Sequence, residues 1–272
     1  MLKFSVLMSI YQKENPLYFR QALDSILNQT NNPTEIVIVK DGKLTQELEA
    51  VCLEYENRYT KIVHFVELET NQGLGIALQI GLNHCRYDFV ARMDTDDIAK
   101  VDRFEKQIKE FQNDDSLDII GSAIDEFSIS IDKIDTVRKV PLLHREIMEY
   151  AKRRNPFNHM TVMFRKSAVL AVGNYQPFHL SEDYYLWYRL LSNGYKTKNL
   201  ADSLVYARVD KEMFRRRGGL KYFLQELKLQ KIFYQSDFIT SIEYIRNVVI
   251  RMIARLIPNF LREVLYRNYM RK

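Results

Sequence analysis

The stretch Phe89-Val90-Ala91-Arg92-Met93-Asp94-Thr95-Asp96-Asp97 passes from apolar residues to three carboxylates within four positions. Its apolar half is typical of a buried strand, so the carboxylates follow the carboxyl end of that strand. Crowding like charges costs free energy unless a positive charge lies among them. The commonest reason for such a cluster of carboxylates is a divalent cation with a phosphate ligand. The alternative is a solvated acidic turn that caps the next helix. The stretch alone leaves both interpretations open.

The acidic stretch ends the last of four strands that alternate with helices from the N-terminus onward. These strands are predicted at 4–10, 35–39, 62–66 and 88–93. Such alternation indicates an α/β protein with a mostly parallel central sheet and helices on both faces. Further strands are predicted at 119–124, 161–164 and 196–209, with a hairpin over 125–140 and a turn at 199–202.

Polar residues follow the carboxyl ends of all four early strands. They are Ser9 and Tyr11, then Asp41, then Asn71 with Gly73, and finally Asp94 with Asp96. Ligands of parallel α/β sheets bind beyond these strand ends, which meet at one edge of the sheet. The sequence therefore predicts one binding site lined by four separate loops.

Several common nucleotide and hydrolase motifs are missing. The segment Asn71-Gln72-Gly73-Leu74-Gly75 is not a G-x-G-x-x-G fingerprint, because the next glycine is Gly81. The phosphate-binding loop G-x-x-x-x-G-K-[ST] and the nucleophile elbow G-x-S-x-G do not occur in the sequence. Carboxylates remain as the candidates for the chemistry.

The carboxylates of Asp94 and Asp96 can turn toward one ligand. One would accept hydrogen bonds from a sugar hydroxyl, and the other would bind Mg²⁺ or Mn²⁺, which complete their shells with phosphate oxygens and water. Asp183 lies beside Glu182 and next to aromatic residues, where desolvation would raise its pKa and improve it as a base. The alternative for this pair is negative charge in the first turn of a helix with Ser181 as N-cap.

The composition is that of a globular protein, with 272 residues, 46% hydrophobic and 28% charged. Cys52 and Cys85 show neither metal-site spacing nor a disulfide framework, which predicts a reducing compartment. The N-terminus runs directly into a strand pattern, so no signal peptide is expected. No apolar run is long enough to predict a membrane-spanning helix.

Positive charge is concentrated near the C-terminus. Residues 211–272 contain 14 Lys/Arg and 5 Asp/Glu, a net +9, whereas the whole chain has +5 and residues 1–210 therefore carry −4. We predict a main domain over 1–210 and a basic helical tail over 211–272. Such a tail suits an anionic membrane surface or a nucleic acid.

The tail includes a two-faced helical segment between residues 246 and 257. Its apolar face contains Val249, Ile250, Met252, Ile253, Leu256 and Ile257, and its opposite face contains Asn247, Arg251 and Arg255. This pattern is typical of a helix that lies in a membrane interface. The alternative is a helix packed on the main domain with its arginines in water.

An ordered set of motifs over residues 3–210 resembles family 2 glycosyltransferases of the GT-A fold, particularly bacterial enzymes of capsule, exopolysaccharide and O-antigen assembly. The matching segments are 6–11, 25–30, 39–42, 71–74, 93–97, 173–175 and 182–187, and Asp94-Thr95-Asp96 is a D-x-D motif. No single segment is specific, but the ordered set is. The resemblance implies a Rossmann-like GT-A domain, here with a C-terminal helical appendage.

The resemblance also implies roles for individual residues. Ser9, Tyr11 and Asp41 would hold the uracil and ribose of a UDP-sugar, with Asn71 in the same nucleotide-sugar site. Asp41 would accept a hydrogen bond from the uracil ring N–H.

Further roles concern the diphosphate and the reaction itself. Asp94 would bind the ribose hydroxyl, Asp96 the Mn²⁺ or Mg²⁺ with Asp97 close by, and Arg92 the diphosphate. Asp183 would be the general base that deprotonates the acceptor hydroxyl. The resulting single displacement inverts the anomeric configuration.

Two features differ from the larger processive members of the family, whose Q-x-x-R-W motif and membrane helices are missing. That difference predicts one sugar added per acceptor. In place of the motif, Arg215, Arg216 and Arg217 precede two glycines, and this basic loop would close over a diphosphate of donor or acceptor. The alternative is a basic linker into the tail.

Three more residues are candidates for the acceptor side of the site. They are Glu182, His159 and Trp187, the only tryptophan of the chain. A position in the core is the alternative for both His159 and Trp187.

The sequence thus predicts an inverting, metal-dependent glycosyltransferase. It would move one hexose from UDP-galactose or UDP-glucose to a polyprenyl-diphosphate-linked saccharide, as a peripheral protein on the cytoplasmic face of the cell membrane. A sugar-1-phosphate nucleotidyltransferase is one alternative, although Tyr11-Gln12-Lys13-Glu14 replaces the glycine-rich loop that such an enzyme needs. A nucleic-acid binder is another, but it leaves the acidic residues unexplained, and no nucleic-acid partner is expected.

Overall fold

The computed structural model describes residues 2–178, 180–209 and 219–256. Its strands are β1 Phe4–Ile10, β2 Glu35–Asp41, β3 Val63–Leu68, β4 Phe89–Arg92, β5 Ile98–Ala99, β6 Leu117–Phe127, β7 Thr136–Arg138, β8 Met163–Arg165 and β9 Lys196–Arg208. Its α-helices are α1 Pro16–Leu27, α2 Gln46–Arg58, α3 Leu74–His84, α4 Arg103–Asn113, α5 His144–Ala151, α6 Lys166–Ala171, α7 Glu182–Ser192, α8 Leu220–Gln235 and α9 Ser241–Leu256.

The described strands form one mixed sheet in the order β3-β2-β1-β4-β8-β6-β9-β5, with β7 paired to β6. Pairing is parallel for β1 with β2, β1 with β4, β2 with β3, and β6 with β9. Only β8 among the strands from β3 to β9 in this order runs the opposite way, because it is antiparallel to both β4 and β6. The expected mostly parallel sheet is confirmed, and β6 and β7 form the expected hairpin.

Helices cover both faces of this sheet. On one face α1, α2 and α4 pack through Phe19, Val51 and Phe104, and on the other α3 and α7 pack through Leu78 and Leu186. Strands covered on both faces have continuous apolar sequences in place of alternating ones, which is why β1 and β2 are recognisable in the sequence.

Two local expectations differ from the structure. Ser181 occupies the N-cap position of α7 as expected, but its side chain makes no capping hydrogen bond, and the Asp183 carboxylate accepts the Tyr184 N–H. No turn interrupts β9 at residues 199–202. The register with β6 shifts between Leu200 and Ser203, so the chain absorbs the extra residues as a β-bulge.

The expected helical appendage is present as a hairpin of α8 and α9 that packs on α7. The ring of Phe233 lies 5.3 Å from that of Tyr184 and 4.5 Å from that of Tyr188, centroid to centroid. Gly219 donates its N–H to the Arg255 carbonyl at 3.1 Å, so the start of α8 lies beside the end of α9. The expected domain boundary after residue 210 lies outside the described residues.

Helix α9 turns its polar side toward the protein and its apolar side outward. Asn247 and Arg255 are only 2% and 6% exposed, whereas Ile242 is 81% exposed and Ile253 is 53% exposed. The alternative drawn from the sequence is therefore confirmed in one part, because the helix packs on the main domain through Asn247 and Lys152. Its other part, arginines in water, is wrong, because Arg255 is buried.

Two compositional expectations concern cysteines and membrane spans. Cys52 and Cys85 are both buried and free. Among the described helices, none combines the length and hydropathy that crossing a bilayer requires.

Gly42, directly after β2, occupies a position that only glycine fits. Its φ is +83°, and a Cβ there would lie 2.6 Å from the backbone nitrogen of Asn71. We expect Gly42→Ala to lower the free energy of unfolding by clearly more than the about 1–2 kcal/mol that left-handed backbone costs an L-residue. Urea unfolding provides the measurement.

Gly194→Ala is the matched control for this prediction. Gly194 has a similar φ of +79°, but no heavy atom lies within 4 Å of the position that its Cβ would take. The control variant should show the backbone cost alone. Equal losses of stability in the two variants would contradict a close contact between the loops after β2 and β3.

Candidate active site

A cleft of about 670 Å³ opens at the carboxyl ends of β1, β2 and β4. Its lining includes seven of the site residues expected from the sequence, namely Ser9, Tyr11, Asp41, Asn71, Asp94, Asp96 and Glu182. The first turns of α3 and α7 and two side chains of α8 complete its walls. The volume suits a small organic ligand. The expected convergence of four loops on one site is confirmed.

Asp41 joins the loops that follow β2 and β3. Its carboxylate accepts the backbone N–H of Gln72 at 2.7 Å and that of Gly73 at 3.0 Å. The Asn71 side-chain amide donates to the backbone carbonyl of Asp41 at 3.2 Å. These hydrogen bonds fix one wall of the cleft, and each carboxylate oxygen keeps a second lone pair for a ligand.

The carboxylates of Asp94, Asp96 and Asp97 converge directly after β4. One oxygen from each lies within 4.8 Å of the others. Asp94 and Asp96 line the cleft, whereas Asp97 is buried and accepts the backbone N–H of Arg208 at 2.8 Å. The Arg208 Nε also donates to the Asp96 carbonyl at 3.1 Å. The end of β9 therefore holds the acidic loop in place.

The crowding of these carboxylates changes their acidity. Burial and the charge of Asp94 raise the pKa of Asp96 to about 6. Burial and the charges of Asp96 and Asp94 raise the pKa of Asp97 well above its ordinary value. A divalent cation would relieve this repulsion, and converging carboxylate oxygens are the ligands that Mg²⁺ and Mn²⁺ prefer. The three residues fit such an ion.

Arg92 supports the acidic loop from inside the protein. Its buried side chain forms an ion pair with the Asp94 carboxylate. The equally buried Arg103, which the sequence analysis missed, donates from Nη2 to the backbone carbonyl of Arg92 at 2.7 Å. Arg92 was expected to contact a diphosphate. Its guanidinium does not line the cleft, because it lies behind Asp94.

Glu182 and Asp183 are the first two residues of α7, and their surroundings differ. Glu182 lines the cleft, and burial together with the charge of Asp183 raises its pKa to about 7. Asp183 is half-buried, and its carboxylate accepts the Asn155 side-chain amide at 2.6 Å and the Tyr184 N–H at 2.7 Å. Burial also raises the pKa of Asp183, although these hydrogen bonds lower it in part. A raised pKa suits a proton acceptor.

His159 and Trp187 belong to an aromatic cluster behind the cleft. Trp187 is fully buried, with its ring 5.4 Å from that of Phe157. The Nε2 of His159 lies 3.0 Å from the Tyr175 hydroxyl, and burial and the charge of Arg92 lower the pKa of His159 well below its ordinary value. Trp187 therefore belongs to the core, which was the alternative drawn from the sequence. His159 is partly exposed, and its place on the acceptor side stays a prediction.

Helix α8 adds two cleft residues that the sequence analysis missed, Gln225 and Lys228. The Nζ of Lys228 lies 5.5 Å from the ring centroid of Phe178, which also lines the cleft. Only the folding of the appendage back onto α7 brings these side chains to the site, and no local motif marks them. The expected basic loop of Arg215, Arg216 and Arg217 lies outside the described residues.

Comparisons with known proteins point to one family. The model of the family described as Glycosyl transferase family 2 matches residues 5–171. A UDP-Gal:α-D-GlcNAc-diphosphoundecaprenol β-1,3-galactosyltransferase of Escherichia coli is 40% identical and covers 99% of this chain and 97% of its own. The amylovoran biosynthesis glycosyltransferase AmsE of Erwinia amylovora is 39% identical and covers 97% of each chain.

A solved structure matches the architecture. The structure of S. aureus TarS 1–349 in complex with UDP-GlcNAc has a TM-score of 0.68 and 19% identity, and the match covers 93% of this chain and 73% of that one. At this identity the similarity shows the fold alone, and it confirms the expected GT-A architecture. The family model covers more than half of the chain, and the relatives align over almost all of it. This chain therefore belongs to glycosyltransferase family 2.

Proposed function

We propose that this glycosyltransferase moves one hexose from a UDP-sugar, UDP-galactose or UDP-glucose, to a hydroxyl of a polyprenyl-diphosphate-linked saccharide, with inversion at the anomeric carbon. The observation that carries the proposal is the single cleft whose lining includes Asp41, Asp94, Asp96 and Glu182, the first residue of α7. The name of the E. coli relative, which combines UDP-Gal, a diphosphoundecaprenol acceptor and a β-linkage, supports the choice of donor and acceptor.

The nucleotide would bind between the loops after β1 and β2. Ser9 and Tyr11 line this part of the cleft together with Asp41 and Asn71. Asp41 is held by two backbone N–H groups, so its free lone pairs are oriented before the ligand arrives. A carboxylate fixed in this way suits the ring N–H of uracil, and Asp94 would accept a hydrogen bond from the ribose hydroxyl.

Mn²⁺ or Mg²⁺ would be held by Asp96 and Asp94, with Asp97 behind them. When bound, such an ion neutralises the negative charge that develops on the departing diphosphate. Arg92 would act through Asp94, because their ion pair fixes the direction of that carboxylate. The contacts from Arg208 to Asp96 and Asp97 would fix the rest of the loop.

Asp183 would accept the proton of the acceptor hydroxyl. The acceptor oxygen forms a bond to the anomeric carbon while the bond from that carbon to the diphosphate oxygen breaks and UDP leaves from the opposite face. The hydrogen bonds from Asn155 and Tyr184 orient the Asp183 carboxylate for this role. A UDP-α-sugar gives a β-linked product in such a displacement. Glu182 is the second candidate base, because it lines the cleft directly.

A panel of donors tests this proposal. The full chain is incubated with UDP-galactose, UDP-glucose, UDP-N-acetylglucosamine or GDP-mannose and a polyprenyl-diphosphate-linked sugar, with Mn²⁺ or with EDTA. We expect turnover with UDP-galactose or UDP-glucose, its loss in EDTA, and a β-linked product by NMR. An α-linked product, or a preference for GDP-mannose, would contradict the proposal.

Lys228 provides a positive charge in a cleft rich in carboxylates, and we propose that it contacts a phosphate group of the donor or the acceptor. We expect Lys228→Ala either to weaken UDP binding or to raise the KM for the lipid-linked acceptor. The change should be about tenfold, which is typical of the loss of one charge-assisted hydrogen bond. Calorimetry with UDP and acceptor titrations distinguish the two sources of phosphate.

For UDP binding, Lys231→Ala is the matched control for this change. Lys231 is exposed on the same helix, one turn further on, and is not among the described residues that line the cleft. The Lys231→Ala substitution removes the same charge from the same helix. If Lys228→Ala bound UDP and the acceptor as the parent chain does, Lys228 would have no role in binding phosphate.

A further inference from the structure

Helix α9 is attached to the protein through polar side chains. The Asn247 amide donates to the Lys152 carbonyl at 2.7 Å and to the Gln230 side chain at 2.8 Å. Arg255 makes a two-pronged ion pair with Glu226 of α8, at 2.8 and 3.0 Å. Because these groups are satisfied only when this side of α9 faces inward, the orientation of the helix is well specified.

The side of α9 that faces away from the protein is aliphatic. We call it the outer face, and it consists of Ile242, Ile245, Val249, Ile250, Met252 and Ile253, each between 43% and 81% exposed. Leu220, Leu224 and Tyr234 of the neighbouring α8 are also exposed. A contiguous apolar surface of this kind is uncommon on a protein that stays in water, and it indicates a surface that another apolar phase or partner covers.

Basic side chains are in excess on the hairpin that carries the outer face. Lys221 and Lys231 are exposed on α8, and Arg246 stands on α9 one turn from both Ile242 and Val249. The acidic side chains are fewer: Asp237 is exposed between the two helices, and Glu243 of α9 is partly exposed. The Glu226 carboxylate is occupied by its ion pair with Arg255 on the inner side. The sequence that follows α9, residues 257–272, adds four basic residues and one acidic residue.

We propose that the outer face of α9 docks on an anionic lipid bilayer. Aliphatic side chains would enter the boundary between headgroups and acyl chains, and the basic side chains would meet the anionic headgroups. The mildly acidic remainder of the chain, residues 1–210 with a net charge of −4, would be turned away from the same surface. A second copy of this chain is a poorer occupant, because two basic surfaces would face each other.

Docking in this way would bring the cleft to the lipid surface. The same helix hairpin that carries the outer face also contributes Gln225 and Lys228 to the cleft. A lipid-linked acceptor keeps its diphosphate at the headgroup level, so the hairpin would connect the bilayer with the reacting end of the acceptor. This consequence rests on the proposed function, whereas the docking itself rests on the outer face.

Flotation of the full chain with vesicles tests the proposal, without donor or acceptor. Vesicles of equal parts phosphatidylglycerol and phosphatidylcholine are compared with pure phosphatidylcholine. We expect the anionic vesicles to bind the chain more tightly and salt to weaken that binding. The double variant Ile245→Glu and Ile253→Glu should bind them about 100-fold more weakly, since two aliphatic side chains leave the interface and two negative charges enter it.

The matched control is the double variant Leu53→Glu and Ile129→Glu. These residues are 59% and 79% exposed outside the hairpin, so the control adds the same charges elsewhere. It should bind vesicles nearly as the parent chain does. Thermal melting and Mn²⁺-dependent UDP binding, which should stay unchanged in both double variants, show that the fold is intact.

Two results would overturn the proposal. One is equal vesicle binding by the outer-face variant and the parent chain. The other is a parent chain that is dimeric by light scattering without lipid and becomes monomeric in the outer-face variant, which would make the face a contact between copies. Vesicle binding without turnover on any UDP-sugar would instead refute the proposed function and leave the docking supported.

Discussion

Replacing Asp183 with asparagine should slow sugar transfer by about 10²–10⁴-fold, the usual cost of removing a general base, while UDP-sugar binding stays nearly unchanged. Asparagine keeps the shape of the side chain and can still accept the Tyr184 N–H. It cannot take up the acceptor proton. Single-turnover rates and calorimetry with UDP separate the chemical step from donor binding.

The neighbouring carboxylate supplies the comparison. Glu182→Gln makes the same chemical change one residue earlier, at a side chain that lines the cleft. If Glu182→Gln lost the rate and Asp183→Asn kept it, Glu182 would be the base. Because burial raises the pKa of Asp183, the parent rate should fall as the pH drops through a value above the ordinary aspartate range. That acidic limb should be missing in Asp183→Asn.

Replacing Asp96 with asparagine should abolish the Mn²⁺-dependent part of UDP binding, a loss of at least about 100-fold in metal affinity. The same variant should melt at a slightly higher temperature in EDTA. Burial and the charge of Asp94 raise the pKa of Asp96 in the folded chain, so its ionised form destabilises the fold at neutral pH. The substitution removes that repulsion. Calorimetry and thermal melting measure the two effects.

Asp102→Asn is the control for this prediction. Asp102 forms a half-exposed ion pair with Lys106 and makes no capping hydrogen bond at the start of α4. Its substitution should leave both Mn²⁺-dependent UDP binding and the melting temperature close to those of the parent chain. Undiminished Mn²⁺-dependent binding by Asp96→Asn would show that the ion, if bound, lies elsewhere.

The sheet and the convergence of its loops could be predicted from sequence because both depend on local patterns. Strands such as β1 and β2 are continuous apolar runs, and the polar residues after them must meet at one edge of a parallel sheet. Asp41, Asn71 and Asp94 lie in the cleft for that reason. The family assignment also removes the nucleotidyltransferase alternative.

Other features depend on partners that are distant in the sequence. The periodicity of α9 shows that the helix has two faces, but only the contacts of Asn247 with Lys152 and of Arg255 with Glu226 decide that the polar face points inward. Trp187 lies one helical turn from Asp183 and was expected near the site, yet Phe157 encloses it in the core. Local spacing contains no information about such neighbours.

In α9, one set of residues attaches the helix to the protein and a different set forms its apolar surface. In most helices of this kind the apolar residues do both. Glu226, Asn247 and Arg255 hold the helix in place, whereas each isoleucine of the outer face is at least half exposed. We therefore expect polar residues at these isoleucine positions to leave the hairpin folded. A chain redesigned in this way should be purified without detergent at high concentration, with the cleft unchanged, and would be the form to crystallise with its donor.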